Sequence, residues 1–168
     1  MLHTGPLGLE LLTHFEGFKT EAYRCPAGVW TIGYGTTFIN GQPVTQGMTG
    51  TLEDAQRWLA SDLFKFEPVV RSSSRVDLLQ HEFDALVCFV YNIGAGAFVG
   101  STIARKLLTP STSGTSHIDE DNFVRWNKAR VNGVLTALPG LTRRRKAEYH
   151  LFSTGTNQFH FPEQGNQS

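Results

Sequence analysis

Residues 78–92 constrain the fold of this chain more than any other stretch of its sequence. They read LLQHEFDALVCFVYN, and one set of apolar residues recurs three and four positions apart, as on one face of an α-helix. That stripe consists of Leu79, Phe83, Leu86, Val87 and Val90, and further apolar side chains on other sides are Ala85, Cys88 and Phe89. A helix that is apolar nearly all round is buried. We therefore predict a central helix with the other elements packed around it.

Helical patterns occur elsewhere in the chain as well. The additional predicted helices span residues 6–16, 52–67, 101–108, 119–129 and 140–153. Pro68 and the serines at 72–74 break the second of these patterns. A length of 168 residues suits one well-buried core. We expect an α+β, mainly α fold with one domain over residues 1–161 and a flexible tail at 162–168.

A β-rich lobe is expected over about residues 18–48. Cys25-Pro26-Ala27-Gly28 has the composition of a type I turn, and Asn40-Gly41 is typical of a β-hairpin. Between these turns the sequence alternates, so that two sets of side chains should lie on opposite faces of a strand. One face would carry Val29, Thr31, Gly33 and Gly35, and the other Trp30, Ile32 and Tyr34. We predict a small antiparallel sheet over residues 20–45.

Composition and charge exclude several classes of protein. No stretch approaches the roughly 20 apolar residues of a membrane span, and the first residues do not resemble a signal peptide. Two cysteines are too few for a disulfide scaffold. Residues 1–70 carry 4 Lys/Arg and 7 Asp/Glu, and residues 71–168 carry 11 and 8, so the charge is −3 and then +3. Nucleic-acid binding is not expected, and the six histidines show no metal-ligand spacing.

The chemistry is concentrated in residues 14–37, around Glu16, Cys25 and Thr31. Glu16 ends the first predicted helix, where the helix dipole disfavours a negative charge and favours the protonated carboxyl of a general acid. Thr31 shares its strand face with glycines, which often mark the close approach of a ligand. Each residue also has a simpler interpretation: a solvated Glu, glycines that give strand curvature, and a cysteine that packs as a small hydrophobe.

The segment FEGFKTEAYRCPAGVWTIGYGT resembles the active-site segment of phage-type lysozymes, the endolysin glycoside hydrolases. That family has a catalytic Glu, then Asp or occasionally Cys after eight residues, then Thr after five more. Glu16, Cys25 and Thr31 fit this spacing, with Cys in place of the commoner Asp. Thr36 stands where the family often has His. The resemblance extends through FDALVCFVYNIGAGAF and LPGLTRRRKAEYHLF, so it covers nearly the whole chain.

The resemblance implies hydrolysis of the β-1,4 bond between N-acetylmuramic acid and N-acetylglucosamine in bacterial peptidoglycan. Glu16 would protonate the glycosidic oxygen, and Cys25 and Thr31 would assist an attacking water; alternatively, Cys25 would attack carbon directly. One of the three arginines Arg143, Arg144 and Arg145 would reach Glu16 and orient it, and Arg143 fits that position best. Gly33, Tyr34 and Gly35 would contribute to binding or orienting the substrate.

No cofactor or metal is implied. We expect a monomer that waits in the host cytoplasm until a separate phage membrane-lesion protein gives it access to the cell wall. Three other functions remain open at this point. They are a lytic transglycosylase, a wall-binding module without activity, and a lysozyme unit of a phage tail or an antibacterial effector.

Overall fold

The computed structural model describes residues 1–25, 28–109 and 114–161. The helices are α1 (Pro6–Glu16), α2 (Leu52–Ser72), α3 (Gln80–Ile93), α4 (Ala95–Val99), α5 (Thr102–Leu108), α6 (Glu120–Val124) and α7 (Pro139–Thr154). The strands are β1 (Lys19–Arg24), β2 (Trp30–Gly33), β3 (Phe38–Ile39), β4 (Gln42–Pro43), β5 (Lys128–Val131) and β6 (Val134–Ala137). The tail predicted at 162–168 lies outside the described residues.

Helix α3 lies at the centre of the helical core, as its sequence predicts. Residues 83–90 are all buried, and α3 packs against α1, α2 and α7. Burial of each large apolar side chain contributes about 1.5–3 kcal/mol to folding, so this helix organises the elements around it. The predicted α+β, mainly α architecture is confirmed. Within the described ranges, no helix combines the length and apolar character that a membrane crossing requires.

Two separate antiparallel pairs build the β-rich lobe. Strand β1 pairs with β2, and β3 pairs with β4. The turn between β3 and β4 holds Asn40 at φ 50° and Gly41 at φ 79°, the left-handed conformations that the Asn-Gly signal predicts. The expected single sheet over residues 20–45 does not form, because the chain turns away from β2 after Gly33, where φ is 64°.

The segment around Pro68 differs from the prediction. Helix α2 continues through Pro68 to Ser72, because this proline lies on the exposed side of the helix and buried Val70 follows it. Packing of the helix against the core outweighs the loss of one backbone hydrogen bond at the proline.

The predicted helix over 119–129 is wrong over its second half. Helix α6 ends at Val124, and β5 and β6 form an antiparallel hairpin instead. Its turn holds Asn132 at φ 49° and Gly133 at φ 82°. This is the same Asn-Gly signal as at Asn40-Gly41, and it marks the hairpin in the sequence.

Thr36 ties the β-rich lobe to α2. Its hydroxyl donates to Asp62 Oδ2 at 2.8 Å, and Lys65 lies 2.6 Å from the other oxygen of that carboxylate. Thr36 therefore makes a buried hydrogen bond to a carboxylate that also pairs with a lysine.

Candidate active site

Glu16 is the last residue of α1, and both ends of this helix are fixed. The N-terminal backbone N–H groups of Gly5 and Gly8 donate to Asp84 of α3 at 2.8 and 3.3 Å, so a carboxylate from another helix caps α1. At the other end, Gly17 at φ 67° ends the helix and donates to Thr13 O at 3.1 Å. The Glu16 side chain is 19% exposed, so its carboxyl group borders both core and solvent.

Arg144 of α7 holds this carboxyl group. Its Nη1 donates to Glu16 Oε1 at 2.6 Å, and its Nε donates to Glu148 Oε1 at 3.0 Å. Burial by itself lowers the pKa of Arg144, but the charges of Glu148 and Glu16 raise it above its ordinary value. The arginine therefore stays cationic while it bridges two carboxylates.

A second guanidinium completes a buried charge network. Arg145 Nη1 lies 3.0 Å from Glu148 Oε2, and Nη2 donates to Asn92 Oδ1 of α3. Two carboxylates thus face two guanidiniums, which balances charge in a site where an uncompensated ion is costly. Burial raises the pKa of Glu148 and lowers that of Arg145.

The predicted contact between Arg143 and Glu16 is wrong, because Arg144 makes it. Successive residues point about 100° apart around a helix. The buried face is marked by Glu148, which lies four residues after Arg144 and three after Arg145. Arg143 points off that face and is exposed, beside a surface pocket of about 530 Å³ that also borders His14 and Phe159.

Gly35 lies against the other oxygen of Glu16. A Cβ atom at Gly35 would be 3.5 Å from Glu16 Oε2 and 3.3 Å from the Tyr91 hydroxyl oxygen, and φ at this glycine is 98°. Tyr91 of α3 donates from its hydroxyl to Tyr34 O at 2.8 Å, so it binds the turn after β2 to the helical core. Burial, with the negative charge of Glu16, raises the pKa of Tyr91 and keeps its hydroxyl protonated.

Tyr91 is not among the site residues that the sequence predicts. Its helix is apolar nearly all round, so the sequence pattern places the aromatic residues of this helix in the hydrophobic core. The notable signal is its position one residue before Asn92, which Arg145 contacts.

Gly33 and Gly35 do not share one strand face with Thr31, contrary to the prediction. Both glycines have positive φ, which turns the chain out of the extended conformation. A Cβ atom at Gly33 would be 3.0 Å from Ala55 of α2, so Gly33 allows the lobe to pack closely on that helix. The Tyr34 ring is buried against Phe18, and Tyr34 therefore meets the site through its carbonyl.

Thr31 is buried in β2, and its hydroxyl donates to Val29 O at 3.1 Å. With its proton used in this bond, the oxygen keeps lone pairs that can accept a hydrogen bond.

Cys25 follows directly after β1. Its N–H donates to Val29 O at 3.0 Å, and its carbonyl accepts from Gly28 N at 2.8 Å. The predicted type I turn includes Pro26 and Ala27, which lie outside the described residues. Arg24, beside Cys25, places its guanidinium 5.1 Å from the centre of the Trp30 ring.

Tyr23 lies in β1, two residues before Cys25. Burial raises the pKa of Tyr23, and electrostatic interactions with Glu16 and Cys25 raise it further. Across the ranges that the structure describes, no cluster of three or more His, Cys, Asp or Glu side chains could hold a metal ion.

Comparison with known proteins identifies the family. The family model for phage lysozyme matches residues 13–148, which include all of the charged network. The endolysin of Acyrthosiphon pisum secondary endosymbiont phage 1 is 39% identical over 155 residues, covering 91% of this chain and 99% of that protein. The endolysin of Salmonella phage P22 is 35% identical over 153 residues, covering 90% and 99%.

Solved structures agree with these relatives. The endolysin from Escherichia coli O157:H7 phage FAHEc1 superposes with a TM-score of 0.82 at 35% identity, covering 96% of this chain and 98% of that one. The muramidase domain of SpmX from Asticaccaulis excentricus gives a TM-score of 0.80 at 35% identity, covering 92% and 99%. The chain therefore belongs to the phage lysozyme family and is a peptidoglycan-degrading glycoside hydrolase of the endolysin type.

Proposed function

We propose that Glu16 is the general acid that protonates the oxygen of the β-1,4 bond between N-acetylmuramic acid and N-acetylglucosamine. The observation that carries this proposal is the ion pair between Glu16 Oε1 and Arg144, at 2.6 Å. Because Arg144 is itself held by Glu148, its guanidinium has a fixed position and orients the Glu16 carboxyl group. A general acid must be held within hydrogen-bond reach of the atom that it protonates.

The two oxygens of Glu16 then have different roles. Oε1 is engaged by Arg144, whereas Oε2 faces the backbone at Gly35, where no side chain intervenes. Oε2 is the oxygen that delivers the proton to the leaving group. The Tyr91 hydroxyl donates to Tyr34 O and so holds the turn at Gly35 beside Oε2.

Cys25 and Thr31 position the water that attacks the anomeric carbon from the opposite face of the sugar. The Cys25 N–H and the Thr31 hydroxyl both donate to Val29 O, at 3.0 and 3.1 Å, which supports a shared role for the two residues. The Thr31 oxygen, which keeps its lone pairs, accepts a hydrogen bond from the water. Attack by water opposite to the leaving group inverts the anomeric carbon.

The biological setting is also a proposal. We infer that residues 1–161 act as one catalytic domain and as a monomer. The hydrophobic core shared by α1, α2, α3, α5, α6 and α7 supports one domain. The enzyme waits in the host cytoplasm and reaches peptidoglycan after a separate phage protein opens the membrane. The relatives named endolysin support this setting.

The test compares Glu16→Gln with the parent protein on purified peptidoglycan. Loss of a general acid lowers the rate by about 10²–10⁴-fold, measured as release of reducing sugar. Glu10→Gln is the matched control, because Glu10 is exposed on the same helix. Full activity of Glu16→Gln would contradict the assignment of Glu16 as the general acid, whereas release of no reducing sugar by the parent protein would favour a wall-binding module.

Product analysis tests the course of the reaction. NMR of the first products should show the inverted anomer. A retained anomer would instead indicate attack by Cys25, and a 1,6-anhydro sugar in the mass spectrum would indicate a lytic transglycosylase.

A further inference from the structure

The β5–β6 hairpin projects from the helical core. Its strands bond to each other from Lys128 opposite Ala137 to Val131 opposite Val134. At its base, Leu138 N donates to Asn127 O at 2.9 Å. Residues 128–137 are exposed except for half-buried Ala129. The catalytic proposal assigns no role to this element.

The tip of the hairpin is apolar and open to solvent. Val131, Val134 and Leu135 are 42%, 65% and 61% exposed. These three large side chains lie within five residues around the Asn132-Gly133 turn. Single exposed apolar residues are ordinary on a protein surface, whereas a concentrated group marks an interaction site.

The sequence on both sides of the hairpin is strongly basic. Between Asp121 and Glu148 the sequence contains seven Lys or Arg residues and no Asp or Glu, in a chain of zero net charge. Two of the seven, Arg144 and Arg145, form ion pairs in the buried charge network. The remaining five are Arg125, Lys128, Arg130, Arg143 and Lys146. Among the described residues, none of these five forms an ion pair with a carboxylate.

We propose that the β5–β6 hairpin binds peripherally to the surface of an anionic phospholipid bilayer. A strand rises about 3.3 Å per residue, so Lys128 lies about 10 Å behind Val131 along the hairpin. Peripheral elements bury their apolar groups about 5–10 Å into the boundary between headgroups and acyl chains. With Val131 and Val134 at that boundary, Lys128 lies at the level of the lipid phosphates. Arg130, which is opposite Leu135 and one residue behind the tip, reaches the phosphates with its long side chain.

The backbone limits how deeply the hairpin enters. A two-stranded ribbon has unpaired N–H and C=O groups along both outer edges, which cannot be buried in hydrocarbon without a large cost. The tip therefore enters only the interface, and the enzyme stays a peripheral protein on the membrane surface.

An anionic lipid surface would bind both the apolar tip and the basic residues of the hairpin, whereas an anionic peptide would bind only the basic residues. The carboxylates of a peptidoglycan stem peptide would satisfy the cations, but they offer nothing to the apolar tip. An anionic bilayer matches both the exposed apolar side chains and the positive charge behind them.

The test is cosedimentation of the full chain with vesicles at low salt. Vesicles that contain phosphatidylglycerol should bind the parent protein, and vesicles of phosphatidylcholine alone should bind it at least about tenfold more weakly. The double variants Val134→Ser with Leu135→Ser and Lys128→Gln with Arg130→Gln should each weaken binding about tenfold or more. Val99→Ser and Arg105→Gln are matched controls, since both residues are exposed outside the hairpin.

A second measurement locates the tip. In Val134→Trp, lipids brominated in the upper acyl chain should quench the added fluorescence above the level in the parent protein. Equal binding of the parent and both hairpin variants would overturn the proposal, as would the absence of added quenching. If the hairpin variants lose affinity for purified peptidoglycan and not for vesicles, the partner is the wall and the membrane proposal is wrong. Hydrolytic activity plays no part in either readout, so the result is independent of the catalytic assignment.

Discussion

Arg144 and Glu16 form an ion pair of 2.6 Å across 128 residues of sequence. The same guanidinium also donates to Glu148, which is buried within α7. Because Glu148 is held in turn by Arg145, Arg144 has little freedom to follow the Glu16 side chain. The ion pair therefore fixes the carboxyl group at the end of α1 relative to α7.

Replacing Arg144 by Lys should lower kcat by about 100-fold with a smaller change in KM. Lysine keeps the charge but cannot bridge two carboxylates with fixed geometry, and small misplacement of a catalytic group costs about that factor. Arg143→Lys is the matched control and should keep its activity, since Arg143 is exposed. Steady-state kinetics and thermal unfolding of both variants check the expectation. Equal losses of kcat in the two variants would show that the arginine assignment is wrong.

Gly35→Ala should reduce activity far more than Gly41→Ala. Both glycines have positive φ, 98° and 79°, so each alanine introduces backbone strain of about 1–3 kcal/mol. Only at Gly35 does the new Cβ meet Tyr91 and Glu16, whereas nothing lies within 4 Å of a Cβ at Gly41. Peptidoglycan hydrolysis and thermal unfolding separate the two effects. If both variants lose activity in proportion to their stability, the contact with Glu16 has no special role.

A series at Cys25 tests whether the thiol acts in place of a carboxylate. We expect Cys25→Asp to be at least as active as the parent, because an ordinary Asp carboxyl group is almost fully ionised at neutral pH whereas an ordinary thiol is mostly protonated. Cys25→Ser should be weaker and Cys25→Ala weakest, with initial rates on purified peptidoglycan as the measurement. An unchanged rate for Cys25→Ala would leave Thr31 to position the water alone.

Glu67 should make the stability of this protein depend on acid pH. Burial by itself raises the pKa of Glu67, but hydrogen bonds from the Thr4 amide and hydroxyl, from His3 and from Arg71 lower it overall. A carboxyl group whose pKa is lower in the folded state than in the unfolded state stabilises the folded protein at pH values above its unfolded-state pKa. For Glu that pKa is about 4.3. That contribution is lost as the pH falls through the folded value.

Glu67→Gln should therefore cost about 1–3 kcal/mol at neutral pH, and the difference from the parent should shrink below about pH 4. For a chain of this size, each kcal/mol shifts Tm by about 2–4 °C. Thermal unfolding as a function of pH measures the effect. Glu21→Gln, which removes an exposed carboxylate, should show no such convergence with the parent.

Local patterns predicted much of the fold. The apolar sequence of α3 identified the buried centre, and Asn40-Gly41 identified the β3–β4 turn. The β5–β6 hairpin carries the same signal at Asn132-Gly133, but the predicted helix over 119–129 overlaps the start of β5. Local propensity predicts a helix end at Pro68, but packing decides otherwise, because the burial of Val70 keeps α2 intact beyond the proline.

The sequence by itself determined the elements and the spacing of Glu16, Cys25 and Thr31, because backbone geometry over a few residues sets which side chains a helix end, a turn and a strand can present. Only the tertiary structure decided that Arg144, not Arg143, reaches Glu16, and that Tyr91 supports the turn at Gly35. Neighbouring residues on a helix point about 100° apart, and packing between α1, α3 and α7 selects which of them faces the site.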